Sequence, residues 1–160
     1  MRTLGLLSKI CALLAILTVG ACSVGPPITE SYGSLPEPED GKGRIYFYRT
    51  NVPLLMALEP AIIVNQKLVG HARHATVFFQ DTLPGRYEVF LESDRGNVLS
   101  FTIGAGQLRF VRTYVDFTIT GTELTLELVE EDKGRLDAES LTMQEPAPTD
   151  LSNGLPADSG

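Results

Sequence analysis

The chain has 160 residues, with 13 basic and 20 acidic side chains, a formal net charge of −7 and two cysteines. This length suits a single domain with tails and excludes a large multidomain protein. The acidic balance excludes nucleic acid as a partner and disfavours anionic lipid surfaces, because both repel a negatively charged protein. Two cysteines are also too few for a four-cysteine zinc site.

The first residues predict an exported protein. Arg2 and Lys9 lie among apolar residues, and an uncharged, largely apolar run of 12 residues follows from Ile10 to Ala21. This pattern is typical of a secretory signal peptide, and a membrane-spanning helix needs a longer run of roughly 20 residues. We predict that residues 1–21 are removed on export, which takes the net charge from −7 to −9. Cys11 is then lost, so no intrachain disulfide is expected.

The residues around the second cysteine predict lipid attachment. Val19-Gly20-Ala21-Cys22 resembles the lipobox of bacterial lipoproteins, which implies cleavage before Cys22 and a diacylglycerol on its thiol. The alternative is an ordinary signal peptide with a chance cysteine. Ser23 follows, whereas an Asp there resembles the inner-membrane retention signal of Gram-negative lipoproteins. We therefore expect anchoring in the outer membrane at its periplasmic face, with the inner membrane or the cell surface as alternatives.

The remaining chain divides into three predicted segments. Residues 22–42 are rich in proline and glycine without an apolar period, which predicts a flexible tether that spans about 25 Å as a coil. Residues 43–131 alternate apolar and polar side chains between turn signals, which predicts an all-β fold. We expect a small antiparallel β-sandwich of about seven to eight strands. Residues 132–160 are polar, and we expect a largely disordered tail with at most two helical turns.

Three local patterns predict particular features of the sandwich. Asn65-Gln66 predicts a hairpin turn, and Leu83-Pro84-Gly85 predicts a type II turn with a positive φ at Gly85. The stretch from Leu108 to Phe117 is apolar on both faces, which predicts a central strand covered on both sides.

A family resemblance rests on three motifs. These are Gly43-Arg44-Ile45-Tyr46-Phe47-Tyr48-Arg49, the hairpin of residues 64–70, and Leu83-Pro84-Gly85-Arg86-Tyr87-Glu88-Val89. Together they resemble a family of small Gram-negative envelope lipoproteins that carry a domain of unknown function, and more distantly the PEGA-type β-sandwiches. The resemblance covers about residues 41–129. It implies an envelope location and a sandwich fold, and it supplies no catalytic residues.

No catalytic or metal-binding constellation is evident. The two histidines, His71 and His74, are three residues apart with Arg73 between them. On a strand they would point to opposite faces, so we interpret them as part of a polar loop rather than as metal ligands. No nucleophile motif is present, and only a carboxylate pair of the glycosidase type stays open. We expect no cofactor, no metal and no enzymatic activity.

Three arginines lie on apolar strands: Arg49, Arg109 and Arg112. Each could bind a carboxylate or phosphate ligand through two parallel hydrogen bonds. The alternative, which we favour, is that they form internal ion pairs with Glu88, Glu92 or Asp116.

The connection of residues 52–58 is almost wholly apolar, although loops are normally polar. Either it closes an open end of the sandwich as a plug, or it is an exposed patch for a partner or a lipid chain. It is the predicted interaction loop, and its candidate residues are Val52, Leu54, Leu55, Met56 and Leu58.

Two functions follow from these patterns. The first is a non-catalytic envelope lipoprotein, structural or binding another envelope protein through the 52–58 loop or a sheet edge. The second is a module that binds a glycan, a peptidoglycan fragment or a lipid. A glycan site usually presents exposed aromatic rings, yet the chain has no tryptophan, and we expect Tyr46 and Tyr48 to be buried. This favours the first function.

Overall fold

The computed structural model describes residues 26–53, 55–119, 121–149 and 151. The predicted signal peptide and Cys22 lie outside these residues. In chain order the elements are α1 (Ile28–Tyr32), β1 (Gly43–Arg49), β2 (Ala61–Val64), β3 (Lys67–His71), β4 (Thr76–Thr82), β5 (Gly85–Leu91), β6 (Asp94–Ile103), β7 (Leu108–Thr118), β8 (Gly121–Val129), α2 (Glu131–Glu139) and β9 (Thr142–Met143).

The strands form two sheets, which confirms the predicted all-β sandwich. The five-stranded sheet has the order β8-β7-β1-β4-β9, and the four-stranded sheet has the order β3-β2-β5-β6. Five of the seven strand pairs are antiparallel, as expected, whereas β1 pairs with β7 in parallel and β4 pairs with β9 in parallel. Strand alternation does not distinguish the two directions, since it reports which side chains are buried and not which strand is the neighbour.

The interior core lies between the two sheets. Ile45 and Phe47 of β1 face it, and Phe47 stacks on Phe78 of β4 with ring centroids 5.1 Å apart. The predicted central position of the strand from Leu108 is confirmed for β7, which lies between β1 and β8.

A second core lies on the other face of the five-stranded sheet, under α2. Tyr46 of β1 stacks on Phe110 of β7 with centroids 5.0 Å apart and planes 7° from parallel. Gly134 of α2 sits directly on Phe110, because a Cβ atom at this position would overlap the Phe110 ring. Ala138, one turn further along α2, is fully buried. Small residues thus bring the helix backbone close to the sheet.

The folded unit is larger than the predicted limits of residues 43 and 131. The predicted tail of residues 132–160 contains all of α2 except its first residue, Glu131, and it contains β9. Leu151 is buried in the interior core. Between them the backbone N–H groups of Gln144 and Ala147 donate to the carbonyl oxygens of Val77 and Val69. The chain there straps β4 of one sheet to β3 of the other.

The predicted tether is also folded from residue 26 onward. Ile28, the first residue of α1, is fully buried, and its N–H donates to the carbonyl oxygen of Leu141 at 2.9 Å. Further along, the carbonyl oxygen of Pro36 accepts hydrogen bonds from Arg44 at 2.8 Å and Tyr46 at 2.5 Å. Proline lacks a backbone donor but keeps its acceptor, so a proline-rich segment can still be fixed by buried donors.

The two turn predictions had different outcomes. The Asn65-Gln66 hairpin is confirmed, and both residues have positive φ, 46° and 66°, as a type I′ turn requires. The Asn65 side chain also accepts the Glu88 backbone N–H at 2.9 Å. The predicted positive φ at Gly85 is wrong, because Gly85 is already the extended first residue of β5, opposite Ile103.

Candidate functional site: the apolar end of the sandwich

One end of the five-stranded sheet is marked by a row of residues in register. Arg49 at the end of β1 lies opposite Thr113 of β7 on one side and Thr76 of β4 on the other. Thr76 lies opposite Thr142 of β9, and Thr142 forms a bridge with Pro27. The β1–β2 loop and the tip of the β7–β8 hairpin lie beyond this row.

Arg49 fixes the β1–β2 loop from inside the protein. The residue is 2% exposed, and its guanidinium donates to the carbonyl oxygens of Leu55 at 2.8 Å, Leu58 at 2.6 Å and Ala72 at 3.2 Å. Burial lowers the pKa of Arg49, and the Glu59 carboxylate acts in the opposite direction. The arginine therefore organises three backbone carbonyls and does not present a cation to a ligand.

The predicted interaction loop is divided between the core and the surface. Leu55, in a left-handed conformation with φ 59°, packs against the interior core, and Val52 is half-buried. Met56 and Leu58 are 55% and 53% exposed. The plug and the exposed patch are thus different residues of one loop. Leu54 lies outside the described residues.

The β7–β8 hairpin adds two further apolar side chains. β1 pairs with β7 only as far as Thr113, whereas β7 continues to Thr118 with β8 as its partner. Phe117 is 72% exposed and Ile119 is fully exposed. We call Met56, Leu58, Phe117 and Ile119 together the apolar end.

A cleft separates the loop from the hairpin. Its volume is about 450 Å³. Its walls combine apolar side chains with hydroxyls and carboxylates from the loop, the β5–β6 turn and β8: Leu58, Glu59, Pro60, Ser93, Asp94, Thr122, Glu123 and Leu124.

The surroundings of the apolar end are acidic. Asp116 lies directly opposite Glu123 in the hairpin register, an arrangement of like charges that costs stability. Glu59 is paired with Arg73 at 3.2 Å, both being exposed. Negative charge around apolar side chains disfavours anionic partners.

The other two arginines of the prediction also have structural partners. Arg112 pairs with Glu127 across the β7–β8 strands and lies 3.9 Å from Asp137 of α2. Arg109 donates to the carbonyl oxygens of Thr102 and Leu108. Internal pairing is therefore right for Arg112, but the predicted partners Glu88, Glu92 and Asp116 are wrong for Arg49, Arg109 and Arg112.

The histidines and tyrosines do not build a site at this end. His71 ends β3 and His74 lies in the following turn. Within the described ranges, no group of three or more His, Cys, Asp or Glu side chains is arranged to hold a metal ion. Tyr46 and Tyr48 are buried as expected, so neither ring offers a platform for a sugar. The described part of the chain contains no helix with the length and apolarity to cross a membrane.

Phe117 and Ile119 were missed as surface residues. The sequence interpretation placed Phe117 in a strand covered on both faces, because its neighbours are apolar on both faces. Their exposure follows from unequal strand length: β7 has 11 residues and its neighbour β1 has seven. The turn Thr118-Ile119, which places a large apolar residue where turns are usually polar, was the available signal.

Comparison with known proteins identifies a family but no characterised relative. The family described as "Protein of unknown function (DUF2846)" matches residues 39–123, just over half of the chain. No curated protein matches the chain. No solved structure matches it either.

Proposed function

We propose that this chain, which belongs to the family "Protein of unknown function (DUF2846)", is a lipid-anchored protein of the bacterial envelope that acts by contact and not by catalysis. Cys22 carries the lipid, and the domain from residue 26 onward is the contact module. The proposal that the domain acts by contact rests on the apolar end, because clusters of exposed apolar side chains mark interaction sites. The sequence hypothesis names another envelope protein as the partner of the 52–58 loop or of a sheet edge, and Met56 and Leu58 of that loop belong to the apolar end.

The contacts that the charged and aromatic side chains make within the protein support a non-catalytic domain. Arg49 is bound to backbone carbonyls, Arg112 to Glu127, and Tyr48 to Asp137. These groups form structural contacts within the protein, so their polar atoms are already engaged and are not directed at a substrate.

Metabolic labelling with radioactive palmitate tests the anchor. We expect the wild-type protein to incorporate label and to enter the detergent phase on phase separation, and Cys22→Ser to do neither. Cys11→Ser is the matched control, because it alters the other cysteine of the chain and should leave labelling unchanged. Unlabelled wild-type protein would exclude the proposed anchor.

Fractionation of the envelope tests the location. We expect the wild-type protein in the outer-membrane fraction, and Ser23→Asp in the inner-membrane fraction, since an Asp at this position resembles the retention signal. If wild-type protein and the Ser23→Asp variant are both found in the inner membrane, the outer-membrane assignment is wrong.

The cleft supports a second candidate function, the binding of a neutral ligand such as a glycan fragment. Carboxylate and hydroxyl groups beside Leu58 and Leu124 could hold sugar hydroxyls and an apolar face together. Titration with N-acetylglucosamine oligomers, followed by amide NMR, should then shift the resonances of Ser93 and Thr122. Unchanged spectra at millimolar concentration would exclude this candidate for such sugars.

A further inference from the structure

The cleft and the exposed ring of Phe117 belong to one surface. In the β7–β8 register, Phe117 lies directly opposite Thr122, and Leu124 follows two positions later on β8. Directly opposite residues share a face of a sheet, and so do residues two positions apart on one strand. Phe117 therefore lies on the hairpin face of Thr122 and Leu124, both of which line the cleft. A partner seated in the cleft would also contact the Phe117 ring.

The cleft is acidic. Among the described residues, three of the eight that line it are acidic and none is basic: Glu59, Asp94 and Glu123. Glu59 pairs with Arg73, whereas Asp94 and Glu123 form no ion pair with any residue that the structure describes. Two carboxylates of the cleft are thus available to a cation from outside the domain.

The other face of the hairpin is acidic as well. Asp116 lies directly opposite Glu123, and like charges in this arrangement destabilise a sheet. A lysine or arginine side chain near the pair would attract both carboxylates and relieve the repulsion. Carboxylates therefore lie on both sides of the Phe117 ring, and both groups favour a positively charged partner.

Apolar side chains lie between these charges. Met56, Leu58, Phe117 and Ile119 are each at least half exposed. The stems of lysine and arginine pack on apolar surface while their charged heads reach a carboxylate. The surface therefore fits a partner that presents large apolar and basic side chains together.

A protein fits this end better than the bilayer that would hold Cys22. Pro27 pairs antiparallel with Thr142 of β9, and β9 runs parallel to β4, away from the apolar end. The chain therefore reaches Pro27 from the side opposite to the apolar end. Cys22 lies at most about 15 Å from Pro26, the span of four virtual bonds. The hairpin extends five residues past Thr113, which is about 17 Å in the opposite direction.

We infer that the apolar end binds a segment of a partner protein that carries lysine or arginine beside large apolar side chains. The apolar side chains of the segment pack on Phe117 and Leu58, and its basic groups meet Asp94 and Glu123. This inference names the chemistry of the partner in the contact function proposed above, and it rests on that function.

Photocrosslinking in living cells tests the partner. Phe117 is replaced by the photoreactive benzoylphenylalanine in the full chain, and mass spectrometry identifies the segment to which it crosslinks. We expect a protein adduct whose crosslinked segment contains lysine or arginine beside large apolar residues. The matched control position is Leu136, which is also 72% exposed but lies on α2, and it should not give this adduct.

A triple variant tests the role of charge. It removes the three carboxylates of the cleft with little change of shape: Glu59→Gln, Asp94→Asn and Glu123→Gln. In the photoreactive chain it should lower the yield of the adduct about tenfold, because charge complementarity is lost. The same loss is expected when the lysine and arginine residues of the crosslinked segment are replaced by glutamine, a test that leaves this chain unchanged.

A matched triple variant controls for net charge. It removes three negative charges from exposed positions on α1 and α2: Glu30→Gln, Asp132→Asn and Glu139→Gln. The yield of the adduct should stay at the wild-type level. Equal yields from the two triple variants would overturn the inference.

The outcomes also distinguish this inference from the proposed function. A protein adduct at position 117 whose crosslinked segment is acidic or uncharged would overturn the inference and leave the contact function intact. Adducts to phospholipid alone would overturn it in favour of the bilayer. If neither position 117 nor position 56 gives an adduct with a protein, the contact function itself is wrong.

Discussion

Helix α2 covers the middle of the five-stranded sheet, whereas the end of the same sheet beyond Arg49 carries apolar side chains that no described residue covers. Under α2, the small residues Gly134 and Ala138 let the helix backbone lie close to Phe110. At the apolar end, Phe117 of the same strand is exposed. One strand thus carries a buried ring in its first half and an exposed ring in its second half, and substitutions should have different effects on stability in the two halves.

The two phenylalanines of β7 provide the largest contrast. Phe110→Ala should lower the free energy of unfolding by about 3–5 kcal/mol, because a buried ring is lost and a cavity remains. Phe117→Ala should change it by no more than about 0.5 kcal/mol. Urea unfolding monitored by circular dichroism measures both. A large loss from Phe117→Ala would mean that the tip is part of the core.

Arg49 lies where the two regions meet. Arg49→Met should lower the free energy of unfolding by about 3 kcal/mol, since three charged hydrogen bonds are lost and the carbonyl oxygen of Ala72 is left buried without this donor. Arg95→Met is the control, because that side chain is 68% exposed. If both variants unfold at the same urea concentration as wild type, Arg49 does not organise the loop.

Gly134 tests the closeness of α2 to the sheet. In an exposed helix, Gly→Ala stabilises by about 1 kcal/mol. Gly134→Ala should instead destabilise by about 1–3 kcal/mol, because the added methyl group meets the Phe110 ring. Thermal unfolding shows whether Gly134→Ala raises or lowers stability. A rise in Tm would contradict the close packing of Gly134 on Phe110.

The pKa of Asp137 indicates how acid should affect the stability of the face that α2 covers. Burial alone would raise the pKa of Asp137, but hydrogen bonds from Lys133 and Tyr48 and the nearby Arg112 hold it below its usual value of 3.8. A carboxylate with a lowered pKa adds stability at neutral pH, and this is lost as the pH falls through the folded pKa. Asp137→Asn should therefore have a lower free energy of unfolding than wild type at pH 7. This difference between the two proteins should decrease below about pH 4. Asp40→Asn, at an exposed loop position, should show no such gap.

The sandwich could be predicted because its strands alternate. Buried Ile45 and Phe47 recur with a period of two on β1, and the Asn65-Gln66 turn has a local conformational cause. The docking of α2 could not be predicted in this way, since its contact surface is Gly134 and Ala138 and not a stripe of large apolar residues.

The candidate site was predictable only in part. The apolar composition of residues 52–58 singled out the loop, but composition does not tell which residue turns inward, and Leu55 does so while Met56 does not. The exposure of Phe117 depends on where β1 stops relative to β7. Register between strands distant in sequence is a property of the assembled sheet.

The parallel pairing of β1 with β7 has a consequence for the order of folding. β1 is the first strand within the described residues, yet Arg44 pairs with Leu108, which lies 64 positions later in the chain. Contacts between such distant segments are slow to form, because a long loop must close first. Until then, a strand destined to be buried on both faces lacks one of its neighbours. A chain synthesised only as far as β6 therefore leaves one edge of β1 without its partner strand.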